Sequence, residues 1–212
     1  MTNVGVAFVA IAASAAAASA APSPSIDGLL CKRSQASDDD KQPPKLVLDV
    51  KGDQPASPSS PDGARTVSNG PNDRGGFLVT DNAKQKSRQV HNRERHYDCD
   101  MAVTEDGAAN SVRWLGNDVL FAQGWYCDEF DAHPFLANGK TGKFLGALKL
   151  KGVSPEARYE VAHVSGTLWA ISVYDHNSDA NYVVVVDTKT GKIRATTKAT
   201  DALIAKLPDC PG

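Results

Sequence analysis

Gly166–Thr197 reads GTLWAISVYDHNSDANYVVVVDTKTGKIRATT, and it aligns beneath Asp118–Leu148, DVLFAQGWYCDEFDAHPFLANGKTGKFLGAL. Leu168-Trp169-Ala170 matches Leu120-Phe121-Ala122, and Asp179-Ala180 matches Asp131-Ala132. Lys189-Thr190-Gly191-Lys192 matches Lys140-Thr141-Gly142-Lys143. The offset is about 48 residues with one slip, a period in the range of propeller blades and related β-repeats. A weaker third copy precedes them: Phe77–Asp81 followed by Lys86 corresponds to Val183–Asp187 followed by Lys192.

Each copy reads as four short antiparallel strands. In the last copy they span about Tyr159–Val164, Thr167–Tyr174, Tyr182–Asp187 and Lys192–Thr197. Ser165-Gly166 and Thr188–Gly191 form the first and third turns, with glycine supplying the positive φ such turns need. A lone four-stranded sheet cannot bury both faces, so the copies must stack. The expected class is all-β: about three four-stranded, blade-like sheets making an incomplete β-propeller, since closed propellers have at least four blades. An open wedge or a homo-oligomer would each deal with the exposed strand edges. Thr200–Leu207 reads as the one short helix, capped by Thr200 or Asp201 and ended by Pro208.

Upstream of the repeats the composition changes twice. Val4–Ala21 is uncharged and built of small residues, and Ala18-Ser19-Ala20 fits the A-x-A cleavage pattern. Residues 1–21 are therefore expected to be a signal peptide, although Met1-Thr2-Asn3 carries no Lys or Arg. No later stretch approaches the roughly 20 apolar residues of a membrane span. Gly28-Leu29-Leu30 before Cys31 lacks the small residues of a lipoprotein cleavage box. A periplasmic or secreted protein without membrane insertion is expected. Residues 22–75 are rich in Pro, Ser, Asp and Gly, and there only Lys45–Val50 alternates like a strand. Gly52–Gly75 reads as a long loop or disordered segment. Residues 76–212 form the β-repeat domain.

The four cysteines, Cys31, Cys99, Cys127 and Cys210, form no C-x-x-C pair, which disfavours a zinc ribbon or a thioredoxin-like motif. An even count in an exported chain points to disulfides, with three connectivities open. The favoured one joins Cys99 to Cys127, both beside predicted strands, and Cys31 to Cys210, tying the ends together.

Of 212 residues, 41% are hydrophobic, but the alanine-rich leader inflates that figure. A net charge of -2 and a pI of about 6.2 give no electrostatic basis for nucleic-acid binding. The densest candidate site is Gly124–Pro134, GWYCDEFDAHP, with Trp125, Tyr126, Asp128, Glu129, Asp131 and His133 in one loop. Aromatics supply desolvated contact area and carboxylates supply orientation, which suits a partner-binding loop. A plain solvated hairpin, or a metal or acid–base site, are the other readings of this loop.

Three further segments carry chemistry-capable residues. Asp175–Asn181 places oxygens at alternate positions, as calcium prefers, but Ala180 and Val186 stand where a turn glycine and a closing carboxylate would be needed. An ordinary Asn/Asp-rich hairpin is the competing reading. Lys84–Cys99 holds Lys84, Lys86, Arg88, Arg93 and Arg95 with His91, His96 and Asp98. It reads as a patch for an anionic partner, a His/Asp/Cys metal cluster or a solvated connection. His163, inside an apolar strand, reads as a satisfied core histidine. No G-x-S-x-G, H-E-x-x-H or P-loop occurs, so no catalytic residue, metal or cofactor is expected.

The leader, the cysteine framework and the blade-like sheets together resemble the periplasmic immunity proteins of type VI secretion peptidoglycan amidases. The residues that carry the resemblance are Phe77–Asp81, Asp98-Cys99, Glu105-Asp106-Gly107, Val119–Phe121 and Lys140–Gly142, within residues 76–150. The resemblance implies a non-enzymatic protein whose loop plugs the active-site cleft of a cognate toxin; by position the plug is Trp125–His133. The family's plug carries a serine and this loop has none. The alternative is a small secreted enzyme, or a ligand- or metal-binding module of truncated propeller type, using Asp128, Glu129, Asp131 and His133. A structural envelope protein that assembles through its open edges is a third reading.

Overall fold

The computed structural model describes residues 26, 28–35, 44–54, 57–69, 77–90, 112–122, 134–154 and 157–211. Within them the protein is all-β, with four antiparallel sheets and one short helix. Sheet I pairs β1 (Leu30–Gln35) with β2 (Lys45–Val50). Sheet II is β3 (Arg65–Asn69), β4 (Phe77–Asp81) and β5 (Lys86–Val90). Sheet III is β6 (Val112–Leu115), β7 (Val119–Ala122), β8 (Phe135–Asn138) and β9 (Phe144–Ala147). Sheet IV is β10 (Arg158–Ser165), β11 (Leu168–Asp175), β12 (Ala180–Asp187) and β13 (Lys192–Ala199). Strand order follows chain order in every sheet.

The stacking follows from side-chain alternation. Side chains on a strand point to opposite faces with period two, so a strand that is apolar throughout is covered on both sides. In β7, Val119 and Phe121 join a core with Ile171, Val173, Val184 and Val186 of sheet IV. Leu120 and Ala122, on the opposite face, join Val67, Phe77 and Val79 of sheet II. In β12, Tyr182 and Val184 face sheet III, while Val183 packs with Leu48 and Val50 of sheet I. The stack therefore runs II, III, IV, I. The N-terminal hairpin lies on the outer face of the last sheet, not on its neighbour in the chain.

The repeat read in the sequence is also a repeat of geometry. At the third turn of sheet IV, Gly191 donates its N–H to Asp187 O and Lys189 donates to Asp187 Oδ1. In sheet III, Gly142 donates to Asn138 O, and Lys140 and Thr141 to Asn138 Oδ1. In sheet II, Lys84 donates to Asp81 Oδ1, and Gln85 takes the positive φ (51°) that glycine has in the other two. Each turn glycine also touches the outer strand of the preceding sheet. A Cβ at Gly191 would lie 2.6 Å from Leu145 of β9, and one at Gly142 would lie 3.4 Å from Cβ of Arg88 in β5.

Lys45–Val50 is a strand as read, and the four strands of the last copy lie within two residues of their expected bounds. Three features differ from the reading. There are four sheets instead of about three, because β1 adds a hairpin partner to β2. The stretch read as loop between Gly52 and Gly75 contains β3, and among the described residues sheet II has three strands where four were expected. Both missed strands are short and polar, held by covering segments more than by pattern. Lys32 exchanges backbone bonds with Pro208 and Cys210, while β3 exchanges them with Pro58 and Ser60. The helix α1 (Asp201–Ile204) is a single turn capped by the Thr200 side chain. Its continuation tightens into i→i−3 bonds, from Lys206 to Leu203 and Leu207 to Ile204.

Cys31 and Cys210 form a disulfide across 179 residues, tying the C-terminal segment to the edge of β1. A structural disulfide fits an oxidising, non-cytoplasmic setting. Among the described residues no helix is long and apolar enough to cross a membrane.

Candidate functional site

Trp125, Tyr126, Asp128, Glu129, Asp131 and His133 lie outside the described residues, as do Cys99 and Cys127 and the leader, residues 1–21. Their anchors are described. Val112 pairs with Ala122, and Ala122 with Phe135, so residues 91–111 and 123–133 both leave sheet III from the same end. Val119 pairs with Asn138 and Leu168 with Asp187, nineteen residues apart in each case, so the β7–β8 and β11–β12 hairpins have the same overall length.

The Asp175–Asn181 loop is an internal buckle. Asp175 is 1% exposed and accepts hydrogen bonds from Ser154 N (2.8 Å), Ser154 Oγ (3.0 Å), Asn177 N (3.0 Å) and Ser178 Oγ (2.9 Å). Burial pushes its carboxyl up, but these donors, the Ser154 and Asn177 N–H groups foremost, outweigh it and hold the pKa below its usual value. Asp179 (φ 53°) pairs with Lys45 at 2.8 Å, and Asn181 Oδ1 accepts from Leu48 N. Both carboxylates thus meet donors of the protein itself, and the loop fastens sheet IV to β2 and to the β9–β10 connection.

His163 is not a core residue. It shares the face of Tyr159 and Val161 but sits at the end of β10, exposed, with Nε2 3.0 Å from Gly166 O and its ring 5.2 Å from that of Trp169. Of the basic stretch, Lys84, Lys86 and Arg88 are described; they occupy the β4–β5 turn and β5. Among the described residues no three His, Cys, Asp or Glu side chains gather as a metal site.

A buried pair of acids was not singled out by sequence reasoning. Asp49 of β2 and Glu160 of β10 are 2% and 6% exposed and meet between sheets I and IV. Arg33 Nη2 lies 2.7 Å from Asp49 Oδ2 and 3.7 Å from Glu160 Oε2, and Arg158 pairs with Glu160 Oε1. Asp53 adds a further carboxylate nearby, itself bonded to Val161 N and Arg113. Burial, then the hydrogen bond and charge of Asp49, push the Glu160 pKa up to about 7. A small pocket with room for about one water opens beside the pair, lined also by Ser172 and Tyr174. Burial beside a second carboxylate thus favours the protonated form of Glu160 near neutrality. The signal in the sequence is a single acid inside each of two apolar strands, KLVLDV and RYEVAHVS.

Comparison with protein-family models, curated proteins and solved structures gives no match for this chain.

Proposed function

We propose that this chain is an exported, non-enzymatic protein-binding module of the inhibitor or immunity type. In this reading it blocks a cell-wall-degrading partner with the loop that joins β7 to β8. The observation that carries the reading is the composition of that connection. The spaces between the sheets are filled by Phe121, Phe135, Ile171, Val184 and their neighbours, which leaves the strand ends as the surface for recognition. At one such end the chain passes from Ala122 of β7 to its partner Phe135 of β8 by way of residues 123–133. Connections held by a rigid scaffold are where binding residues concentrate. This one holds Trp125, Tyr126, Asp128, Glu129, Asp131 and His133, which combine aromatic contact area with orienting charge.

Export is supported by the Cys31–Cys210 disulfide and the leader-like residues 1–21. The same reading takes the stacked sheets as blades of an incomplete propeller. The turn-glycine contacts that pass from Gly142 to β5 and from Gly191 to β9 support it, since one contact recurs at each step of the stack.

The test is capture from periplasmic extract with the immobilised protein, followed by protection of the host from the captured partner. Alanine at both Trp125 and Tyr126 should lower capture by orders of magnitude while the melting temperature stays within a degree or two. Capture that survives the double substitution would refute the loop's role.

A further inference from the structure

The exposed charges of the three equivalent turns are lysines. Lys86, Lys143 and Lys192 each follow the positive-φ residue of a third turn, and Lys84, Lys140 and Lys189 lie within the turns themselves. All six are exposed. Lys84 has an ion pair with Asp81, and for the other five the described residues supply none. The carboxylates at this end of the stack are engaged. Asp81 accepts from Lys84 N, Asp187 is buried and bound by Arg194, Asp118 pairs with Arg65, and Asp62 accepts from Ser60 Oγ and Ala64 N. The stacking contacts fix how the turns sit relative to one another. Gly142 abuts Arg88, whose guanidinium donates to Lys140 O at 2.6 Å, and Gly191 abuts Leu145. Face-to-face sheets pack about 10 Å apart, so the lysines form a ladder of roughly that step over about 20 Å.

Protection of edge strands accounts for the charged residues, lysine above all, on β5 and β13. It does not account for a further lysine inside each of the three equivalent turns of a chain whose net charge is -2. The choice of lysine over arginine is informative as well. Lysine is a mobile point charge without the fork that grips a single anion in a fixed pose. Six such cations in a row suit many weakly held anions on one flexible thread.

We infer that the third-turn face of the stack is a docking surface for an extended polymer bearing repeated phosphate groups, which runs across sheets II, III and IV along the lysine ladder. This surface lies at the strand ends opposite to those from which residues 123–133 depart. It therefore stands or falls independently of the loop's role, and one molecule can hold both partners at once.

The experiment measures binding of long-chain inorganic polyphosphate to the full-length protein by fluorescence anisotropy over a salt series. Orthophosphate at equal phosphate concentration and vesicles containing phosphatidylglycerol serve as further arms. The expected result is salt-sensitive binding of polyphosphate, with no competition by orthophosphate. Lys86→Gln, Lys143→Gln and Lys192→Gln together should weaken it by at least about tenfold and flatten the salt dependence. The matched triple Lys51→Gln, Lys149→Gln and Lys206→Gln, placed elsewhere, should change it less than about twofold. Absence of polyphosphate binding at low salt, equal loss in both triples, or binding to vesicles alone would each overturn the assignment.

Discussion

Asp49 and Glu160 face each other across the seam between the N-terminal hairpin and the last sheet, with Arg33 2.7 Å from the first and 3.7 Å from the second. The pair makes stability depend on pH with a definite sign. Below about pH 4.5 both the folded and unfolded protein hold the Glu160 proton. From there to about pH 7 only the folded protein holds it, so stability falls as pH rises, by up to ~1.4 kcal/mol per pH unit. Above pH 7 the whole penalty is present, offset in part by Arg33 and Arg158. Glu160→Gln should flatten urea-denaturation stability between pH 5 and 8 and leave the variant more stable than the parent at pH 8. Equal pH dependence in both proteins would contradict the raised pKa of Glu160.

The disulfide acts on the same seam. Cys31–Cys210 closes a loop spanning 179 residues, and the chain-entropy argument gives such a closure a few kcal/mol. The double substitution Cys31→Ser with Cys210→Ser should cost ~2–5 kcal/mol in chemical denaturation. It should also release Lys32, whose N–H is bound to Pro208 O, to fast hydrogen exchange. Unchanged exchange at Lys32 would show that the hairpin is held without the bridge.

Gly191 tests the stacking contact between sheets III and IV. Its φ of 66° alone makes alanine unfavourable there, and the added Cβ would also push Leu145 out of its packing against the core. Gly152 has a similar φ, 73°, with no atom within 4 Å of a Cβ. Gly152→Ala should therefore cost about 1 kcal/mol, the backbone cost by itself. Gly191→Ala should cost ~2–4 kcal/mol, the excess being the disturbed contact. Equal losses in thermal or urea denaturation would remove the contact from the account.

Asp175 replaces the role that calcium would have in its loop. Asp175→Ala leaves the Ser154 N–H and hydroxyl and the Asn177 N–H without their acceptor, at a cost of ~2–4 kcal/mol. Because its pKa is lowered in the folded state, the stabilisation it contributes is present above about pH 4 and is lost as pH falls through the lowered value. Millimolar calcium should leave the melting temperature of the parent protein unchanged. A rise of several degrees that Asp175→Ala abolishes would restore the metal reading.

What could be read from the sequence was what alternation and turn chemistry encode locally. Val183–Val186 bounded by Asp187 and Gly191 can only be a two-sided strand followed by a tight turn, and it is one. The same turn marked the weaker copy at Asp81 despite Gln85 standing in place of glycine. β1 and β3 were hidden because LCKRSQ and RTVSN present few apolar residues; their order comes from segments bonded along their edges. The hairpin's place on sheet IV could not be read, because Leu48 meets Val183 through folding and not through any local pattern. For the same reason Asp49 and Glu160, more than a hundred residues apart, gave no sign of being partners. Cys31 and Cys210 were paired on the simple ground that they flank the chain, and the structure joins them.

The central claim is that the β7–β8 connection is the surface that meets a protein partner. A photo-crosslinking amino acid placed at Trp125 or at His133, in the cells that make the protein, tests it at the residues themselves. Thr196, exposed on β13, serves as the control position. The account predicts one discrete, heavier adduct from positions 125 and 133 and none from 196. No adduct from the loop positions, or the same adduct from Thr196, would contradict it.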